Sequence, residues 1–275
     1  MALRPEAKAI IEKFSMNLDQ GASTLFPVYR SKCGSHDLVI SGPGKVNAAA
    51  ATGYLAGLAG DDGATRGWLN FGIAGSGGND FGEVFLASKI SDSATGRSHF
   101  PPCLWDRKLT PKRKAVSTVE QPCEIYPEDD VLVEMEASGF YATAIKCQTM
   151  ELCQSIKVVS DDPAHSISAI TKESVSTMCA NALVTIEPWL DAYSDSIKAV
   201  NSVNSDPPAM AALLAGLHFS ATREHQLRRL VQLWRAKFDD NLPELDPNSY
   251  PDAKSCIESI REQLWAENKI HTKLA

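Results

Sequence analysis

The sequence predicts an α/β core on a central mixed, mainly parallel sheet, followed by a C-terminal helical extension. Three observations carry this. Short apolar runs alternate with helical patterns as far as about residue 200. A strand, a glycine turn and a helix follow one another in that order, which is half of a βαβ unit, and the type recurs. From Asn201 onward no strand pattern remains.

The elements follow in chain order. Ala2 to Phe14 reads as a helix: Pro5 suits the first turn, where its missing N–H costs nothing, and Ile10, Ile11 and Phe14 share one face. No strand precedes it. Asp37-Leu38-Val39-Ile40-Ser41 is a strand ending in Gly42-Pro43-Gly44, and an Ala-rich helix runs from Val46 to Leu58, closed by Gly60. Trp68-Leu69-Asn70-Phe71 leads into a second glycine turn, Gly72 to Gly78, and Val84 to Ile90 is a further strand. Asp130 to Glu136 passes directly into a helix from Ala137 to Cys147. Ser155 to Val159 ends at Ser160-Asp161-Asp162-Pro163, and a long helix from Lys172 to Val200 follows, broken or kinked at Pro188.

The linker-like Asn204-Ser205-Asp206-Pro207-Pro208 then leads to three helices, Met210 to Phe219, Thr222 to Phe238 and Asp252 to Lys269. Asn241 to Pro247 separates the last two. The chain therefore divides into a core of residues 1–200 and an extension of residues 201–275. Arg223, Arg228, Arg229, Arg235 and Lys237 give one extension helix a basic face, read either as an ordinary solvated face or as a surface for DNA or a partner.

Bulk composition narrows the function classes. At 44% hydrophobic and 22% charged, 275 residues make one or two ordinary domains with a sizeable core. A formal charge of -7 argues against a general nucleic-acid binder. No apolar run approaches the ~18 residues of a membrane span, and no signal-peptide core precedes the first helix. The seven cysteines form no CxxC pair, so reduced thiols in a cytoplasmic protein are the expectation. No metal-ligand set emerges from the histidines, and no cofactor is expected.

Open α/β folds place ligands at the ends of parallel strands, and here four such ends carry notable groups: Gly42-Pro43-Gly44-Lys45, Gly72-Ile73-Ala74-Gly75, Glu134-Met135-Glu136 and Ser160-Asp161. Neither glycine segment has the spacing of a P-loop or of a dinucleotide fingerprint. Glu134 and Glu136 alternate with Met135, which on a strand puts both carboxylates on one face. The alternative is that the strand has ended and they cap the helix at Ala137. Asp161 is open to the same choice between a working carboxyl and a turn residue before Pro163.

The order of these segments decides between them. Val133-Glu134-Met135-Glu136-Ala137, followed by Val158-Val159-Ser160-Asp161, resembles the purine nucleoside phosphorylase/nucleosidase family. More narrowly it looks like the methylthioadenosine/S-adenosylhomocysteine nucleosidase branch, with its Glu-Met-Glu-Ala and later Ser-Asp. Ser41-Gly42-Pro43-Gly44-Lys45-Val46 is similar to that branch's first glycine turn, and Asn70-Phe71-Gly72-Ile73-Ala74-Gly75 to its Asn-Thr-Gly-Ser-Ala-Gly. At the front, Ala2-Leu3-Arg4-Pro5-Glu6 brings Glu6 onto the glutamate that handles water.

The resemblance implies a three-layer fold over residues 2–200 and hydrolysis of the N-glycosidic bond of a purine nucleoside of adenine type; the alternatives are a phosphate-dependent phosphorylase and a non-catalytic nucleoside-binding protein whose helical tail docks a partner. Asp161 would protonate the leaving base, oriented by the Ser160 hydroxyl; such an acid must hold a proton near neutral pH, which burial or neighbouring carboxylates favour. Glu136 would accept the ribose hydroxyls, Met135 would pack on the sugar, and Glu6 would activate water. Glu134, Gly72 and Ile73 join the expected substrate site, Lys157 falls where the branch carries an arginine, and His99 is read either as reaching the 5′ side of the substrate or as a loop histidine. The expected partners are a nucleoside, water or phosphate as co-substrate, and a second copy in a homodimer. Phosphorolytic relatives hold phosphate with an arginine and a serine where this chain offers Asn70 and Ile73, which favours water. The segment matching the branch's base-stacking loop, Ser117 to Cys123, has no aromatic until Tyr126.

Overall fold

The computed structural model describes residues 1–60, 65–78, 80–123, 126, 130–238 and 242–271. The carbonyls of Met1 and Ala2 accept from the N–H groups of Ser41 (2.9 Å) and Gly42 (3.1 Å). These two hydrogen bonds tie the start of helix α1 (Arg4–Lys13) to the segment after β3 (Asp37–Val39). Pro5 sits in the first turn of α1, as its lack of a donor favours.

Three short strands then form an antiparallel meander: β1 (Met16–Leu18), β2 (Val28–Ser31) and β3 (Asp37–Val39). Ala7, Met16, Tyr29 and Leu38 make its small core. The first two have no sequence signature because three or four residues are too few to show a period.

Helix α2 (Lys45–Ala59) leads to the main sheet of β4 (Trp68–Ser76), β5 (Val84–Asp92), β6 (Ser98–His99), β7 (Lys112–Thr118), β8 (Val131–Glu134) and β9 (Cys153–Asp161). Its order is β6-β5-β7-β8-β4-β9, and β5 pairs again with β9, so five strands close on themselves. The sheet is mixed. The parallel pairings β4–β9, β5–β7 and β7–β8 run four to eight residues each, while the antiparallel ones run two or three.

One feature corrects the sequence reading. Gly72 to Gly75 are no turn: β4 runs straight through them, paired residue by residue with β9, with a bulge only between Ala74 and Gly75. Strand β7 opens on three basic residues, Lys112, Arg113 and Lys114, of which Lys112 pairs with Glu83 and Lys114 with Asp80.

One face of the sheet packs on α2 and α3 (Ala137–Cys147) through Ala48, Phe140, Tyr141 and Ala144. The other packs on α4 (Lys172–Thr185) and α5 (Glu187–Asn204) through Val175, Cys179, Leu183, Ile186 and Trp189. Strand β9 supplies both cores by alternation, Cys153 and Val159 to the first, Ile156 and Val158 to the second. The long C-terminal helix of the sequence reading is thus two, parting at Ile186, with Pro188 inside the first turn of α5 where proline is tolerated. Gly139 is required by packing, since a Cβ there would lie 1.9 Å from the Lys45 carbonyl oxygen.

The chain divides into two compact units: residues 1–62 with 66–197, and residues 63–65 with 198–275. The second holds α6 (Pro208–Gly216), α7 (Ala221–Phe238) and α8 (Ala253–His271) around Met210, Leu213, Leu227, Val231, Cys256 and Ile260. On α7, Arg228 pairs with Glu224 and Asp206, so part of the basic face is neutralised within the unit. Leu242 to Asp246 is irregular, as the breaker segment requires; Asn241 lies outside the described residues. No described helix is long and apolar enough to cross a membrane.

Candidate active site

A cleft of about 330 Å³ opens in the first unit, lined by Glu6, Ile73, Met135, Glu136, Ser160 and Asp161 among others. These residues come from four places in the chain: the first turn of α1, the middle of β4, the β8–α3 junction and the end of β9. That volume is at the lower end of the ~300–1,000 Å³ range of small-molecule sites.

Asp161 is the last residue of β9 and is 3% exposed. Its Oδ1 accepts from the Ser160 hydroxyl at 2.5 Å, and its Oδ2 accepts from the Tyr126 phenol, also at 2.5 Å. Two neutral hydroxyls therefore fix the carboxyl plane. Gly75 makes the room, for a Cβ at that position would lie 2.5 Å from both Asp161 Oδ2 and Tyr126 Cε1. A glycine inside a strand marks a close approach, here of a side-chain pair.

Glu6 is 2% exposed and faces the same cleft. Its Oε2 accepts the Leu3 N–H at 2.8 Å and its Oε1 the Ile73 N–H at 3.0 Å. Gly72 does not line the cleft. Its role is spatial, because a Cβ there would stand 2.8 Å from Glu6 Oε1. Both glycines of the β4 segment thus mark places where a carboxylate presses on the sheet.

The two glutamates at the β8–α3 junction part company. Glu134 ends the strand, and its carboxylate accepts from the Thr118 hydroxyl (2.6 Å) and from the N–H groups of Glu136 (2.9 Å) and Ala137 (2.8 Å). It caps α3, so although it touches the cleft it has little left to offer a ligand. Glu136 sits two residues on, at the cap position of α3, with Oε1 accepting the Gly44 N–H at 2.9 Å. Gly44 can present that N–H because its φ of +100° is one that a side chain would resist. Burial raises the Glu136 pKa, against the opposing pull of Lys157.

Lys157 and His99 do not line the cleft. Lys157 is fully buried, and its Nζ lies 2.8 Å from Glu134 Oε2 as an ion pair. Burial pushes the ammonium down, but the carboxylates of Glu134 and Glu136 outweigh it and hold the pKa above the usual lysine value. His99 lies on the edge strand β6, its ring 5.3 Å from that of Tyr141. His165, a second histidine close to Asp161 in sequence, is bonded to Asp162 (2.8 Å) and stacked on Phe81. Lys45, in the first glycine segment, bridges Asp92 (2.8 Å) and Glu120 (2.5 Å).

Sequence reasoning missed the apolar wall, made by Leu3, Val119, Pro122, Ile167 and Ile170, and the partner of Asp161, Tyr126. All but Leu3 lie on irregular segments or a short 3₁₀ turn, where no periodicity points to a pocket. No Lys, Arg or His is among the described lining residues. Nor do the described residues hold a cluster of three or more groups fit for a metal ion.

No protein-family model matches the sequence, and no curated protein matches it. Solved structures do match in shape. A 5′-methylthioadenosine/S-adenosylhomocysteine nucleosidase from Neisseria meningitidis, in complex with methylthio-immucillin-A, is 19% identical with a TM-score of 0.50 over 68% of this chain and 96% of its own. The corresponding enzyme of Helicobacter pylori, with butyl-thio-DADMe-immucillin-A, is 16% identical with a TM-score of 0.52 over 71% and 95%. Futalosine hydrolase of Helicobacter pylori is also 16% identical, with a TM-score of 0.51 over 70% and 95%. The chain has the nucleoside phosphorylase/nucleosidase fold. At these identities the likeness speaks for architecture, and the chemistry rests on the side chains described above.

Proposed function

We propose that the protein is a nucleosidase that hydrolyses the N-glycosidic bond of a purine nucleoside, of adenine type. The observation that carries this is the placing of Glu6: a buried carboxylate, held by two backbone N–H groups, in the same cleft as the Ser160-supported Asp161. In this reading Asp161 gives a proton to N7 of the base, the C1′–N9 bond breaks with its electron pair going to the base, and water attacks C1′. Glu6 takes the proton from that water and releases it to solvent, and solvent returns a proton to Asp161 for the next cycle. Glu6 and Glu136 also offset the positive charge that builds on the sugar.

The same geometry favours water over phosphate. Ile73 presents an apolar side chain to the cleft, and its N–H is already bonded to Glu6. A phosphate dianion would face two carboxylates with no described cation in the wall to offset them. The apolar wall fits a nucleoside with an uncharged, apolar 5′ group. A cytoplasmic homodimer without a cofactor belongs to the same proposal.

The test is base release from a panel of purine nucleosides, 5′-alkylthioadenosines included, with and without inorganic phosphate. Release without phosphate, giving free sugar, is expected. Strict phosphate dependence would overturn the hydrolytic reading; tight adenine binding without turnover would point to a binding protein.

Glu136→Gln tests the sugar contact. The amide oxygen keeps the Gly44 N–H, so the fold stays, but the charged acceptor for the ribose hydroxyls is gone. A rise in KM of about ten- to a hundred-fold is expected on ribonucleosides, the size of hydrogen bonds to a charged group. The raised Glu136 pKa adds a pH signature: on acidification the wild type loses this acceptor earlier than an ordinary carboxylate would, while the variant stays flat. An equal loss on 2′,3′-dideoxynucleosides would remove Glu136 from the sugar.

A further inference from the structure

Among the described residues, Tyr126 is a group bonded to the candidate acid that the proposed chemistry leaves without a task. Its phenol donates to Asp161 Oδ2 at 2.5 Å, yet it is not part of the cleft wall. The ring lies over Gly75, whose missing side chain is what lets the phenol and the carboxyl meet. Ser160 holds the other oxygen of the same carboxyl. Asp161 is thus gripped by two hydroxyls, Ser160 within the cleft wall and Tyr126 behind it, while its own side chain still faces that space.

We infer that Tyr126 is a positioning residue for the Asp161 acid, one that stabilises the carboxylate left behind when the proton passes to the base. This rests on the nucleosidase reading for its catalytic meaning, though not for its physical content. When Asp161 gives up its proton, the negative charge appears on a carboxyl buried in a cleft that already holds Glu6 and Glu136. Without a donor aimed at Oδ2 that charge would be poorly stabilised and the transfer uphill. The phenol supplies the donor without competing as a proton source. Burial, and next the hydrogen bond to Asp161, push its own pKa up, so it keeps its proton throughout. No atom is exchanged at Tyr126. The proton moves from Asp161 to the base, and the phenol hydrogen bond strengthens as the charge forms. A cationic partner such as arginine would hold the carboxyl ionised before the base arrives; a neutral phenol supports the charge and still lets the acid be reprotonated.

The test is Tyr126→Phe, which keeps the ring over Gly75 and removes only the hydroxyl. Two readouts are used. The first needs no turnover: carboxyl ¹³C NMR of aspartate-labelled protein, with the Asp161 signal assigned by its loss in Asp161→Asn. The titration midpoint of that signal is expected about one to two pH units higher in Tyr126→Phe than in the wild type, the size of a hydrogen bond to a charged group. The second is the kcat/KM pH profile on the best nucleoside of the panel. Its alkaline limb is expected to move up by the same amount while the plateau kcat falls about ten-fold, since a weaker acid donates more slowly but stays loaded longer. A merely structural tyrosine would lower activity without moving the limb. An unmoved NMR midpoint overturns the inference, and so does a moved midpoint with unchanged kcat in an enzyme whose wild type is active. Wild-type silence across the nucleoside panel overturns the nucleosidase reading, and with it the catalytic task of Tyr126, while the NMR arm still reports whether the phenol supports the carboxyl.

Discussion

Asp161→Asn is expected to lower kcat for glycosidic cleavage of purine nucleosides about a thousand-fold or more, the upper part of the range for a positioned general acid. The amide has no proton to give at the pH of the assay, so the base would have to leave as an anion. The fold is expected to stand. The amide oxygen accepts one of the two hydroxyls that now bond the carboxyl, and the amide N–H donates to the oxygen of the other, so Ser160 and Tyr126 both keep a partner. Substrate binding should therefore survive loss of turnover, and the variant should trap nucleoside in equilibrium dialysis. A riboside with a 4-nitrophenolate leaving group, which departs without protonation, separates acid catalysis from every other role. On that substrate the variant is expected within a few-fold of the wild type. Wild-type rates of purine release from Asp161→Asn, or an equal collapse on the nitrophenyl riboside, would each remove Asp161 from the acid's role.

How far the sequence could be read differs between the fold and the site, and the glycines show why. Asn70-Phe71-Gly72-Ile73-Ala74-Gly75 reads as a strand running into a turn, because a propensity argument takes glycine as punctuation. In the structure both glycines are strand residues, small because the Glu6 carboxylate and the Asp161–Tyr126 pair lie against them. The cause is a contact from residues far off in the chain, Glu6 against Gly72 and both Tyr126 and Asp161 against Gly75, which no local window contains. The helices α2 and α3 were legible, since a long helical segment carries its own evidence, and β8 was legible as an apolar run leading straight into α3. β1, β2 and β7 were not: the first two are short, and the lysines that begin β7 are paired with Glu83 and Asp80 on the neighbouring chain segment.

The site divides along the same line. Asp161, Ser160 and Glu136 could be picked out because carboxylates and hydroxyls at strand ends are chemically conspicuous. Glu6 looks in isolation like an ordinary first-turn glutamate, and only the family resemblance singled it out. Glu134 and Glu136 have the same spacing from Met135 on either side, yet one caps a helix and the other faces the cleft. Strand β8 stops at Glu134, so the two-residue alternation that would have put both on one face no longer applies. Tyr126 was visible only as the first aromatic after an unmatched loop; its meaning depends on meeting Asp161 across 35 residues.

The second large effect concerns stability and falls on Lys157. Its ammonium is fully buried, 2.8 Å from Glu134, with Glu136 and Glu6 also acting on it. Three buried carboxylates around the cleft are tolerable in one fold because this cation lies among them. Lys157→Met keeps most of the side-chain volume and removes the charge, so it is expected to destabilise the protein by about 3 kcal/mol, the lower end of the range for breaking a buried pair. The lower end applies because Glu134 retains the Thr118 hydroxyl and two backbone N–H groups. Since the folded protein holds Lys157 above the usual lysine value, its stabilisation is fully present at neutral pH and is lost only as the pH rises through that raised value. The gap between wild type and variant should instead narrow on the acid side, where Glu136, already raised, takes up a proton and no longer needs a counter-charge. Urea unfolding at several pH values measures this directly. Adding Glu134→Gln to Lys157→Met should recover at least half of the loss at neutral pH, because the double variant no longer buries the unpaired charge; a single-variant loss under about 1 kcal/mol, within the range of an exposed pair, would mean that Lys157 is not the counter-charge of this site.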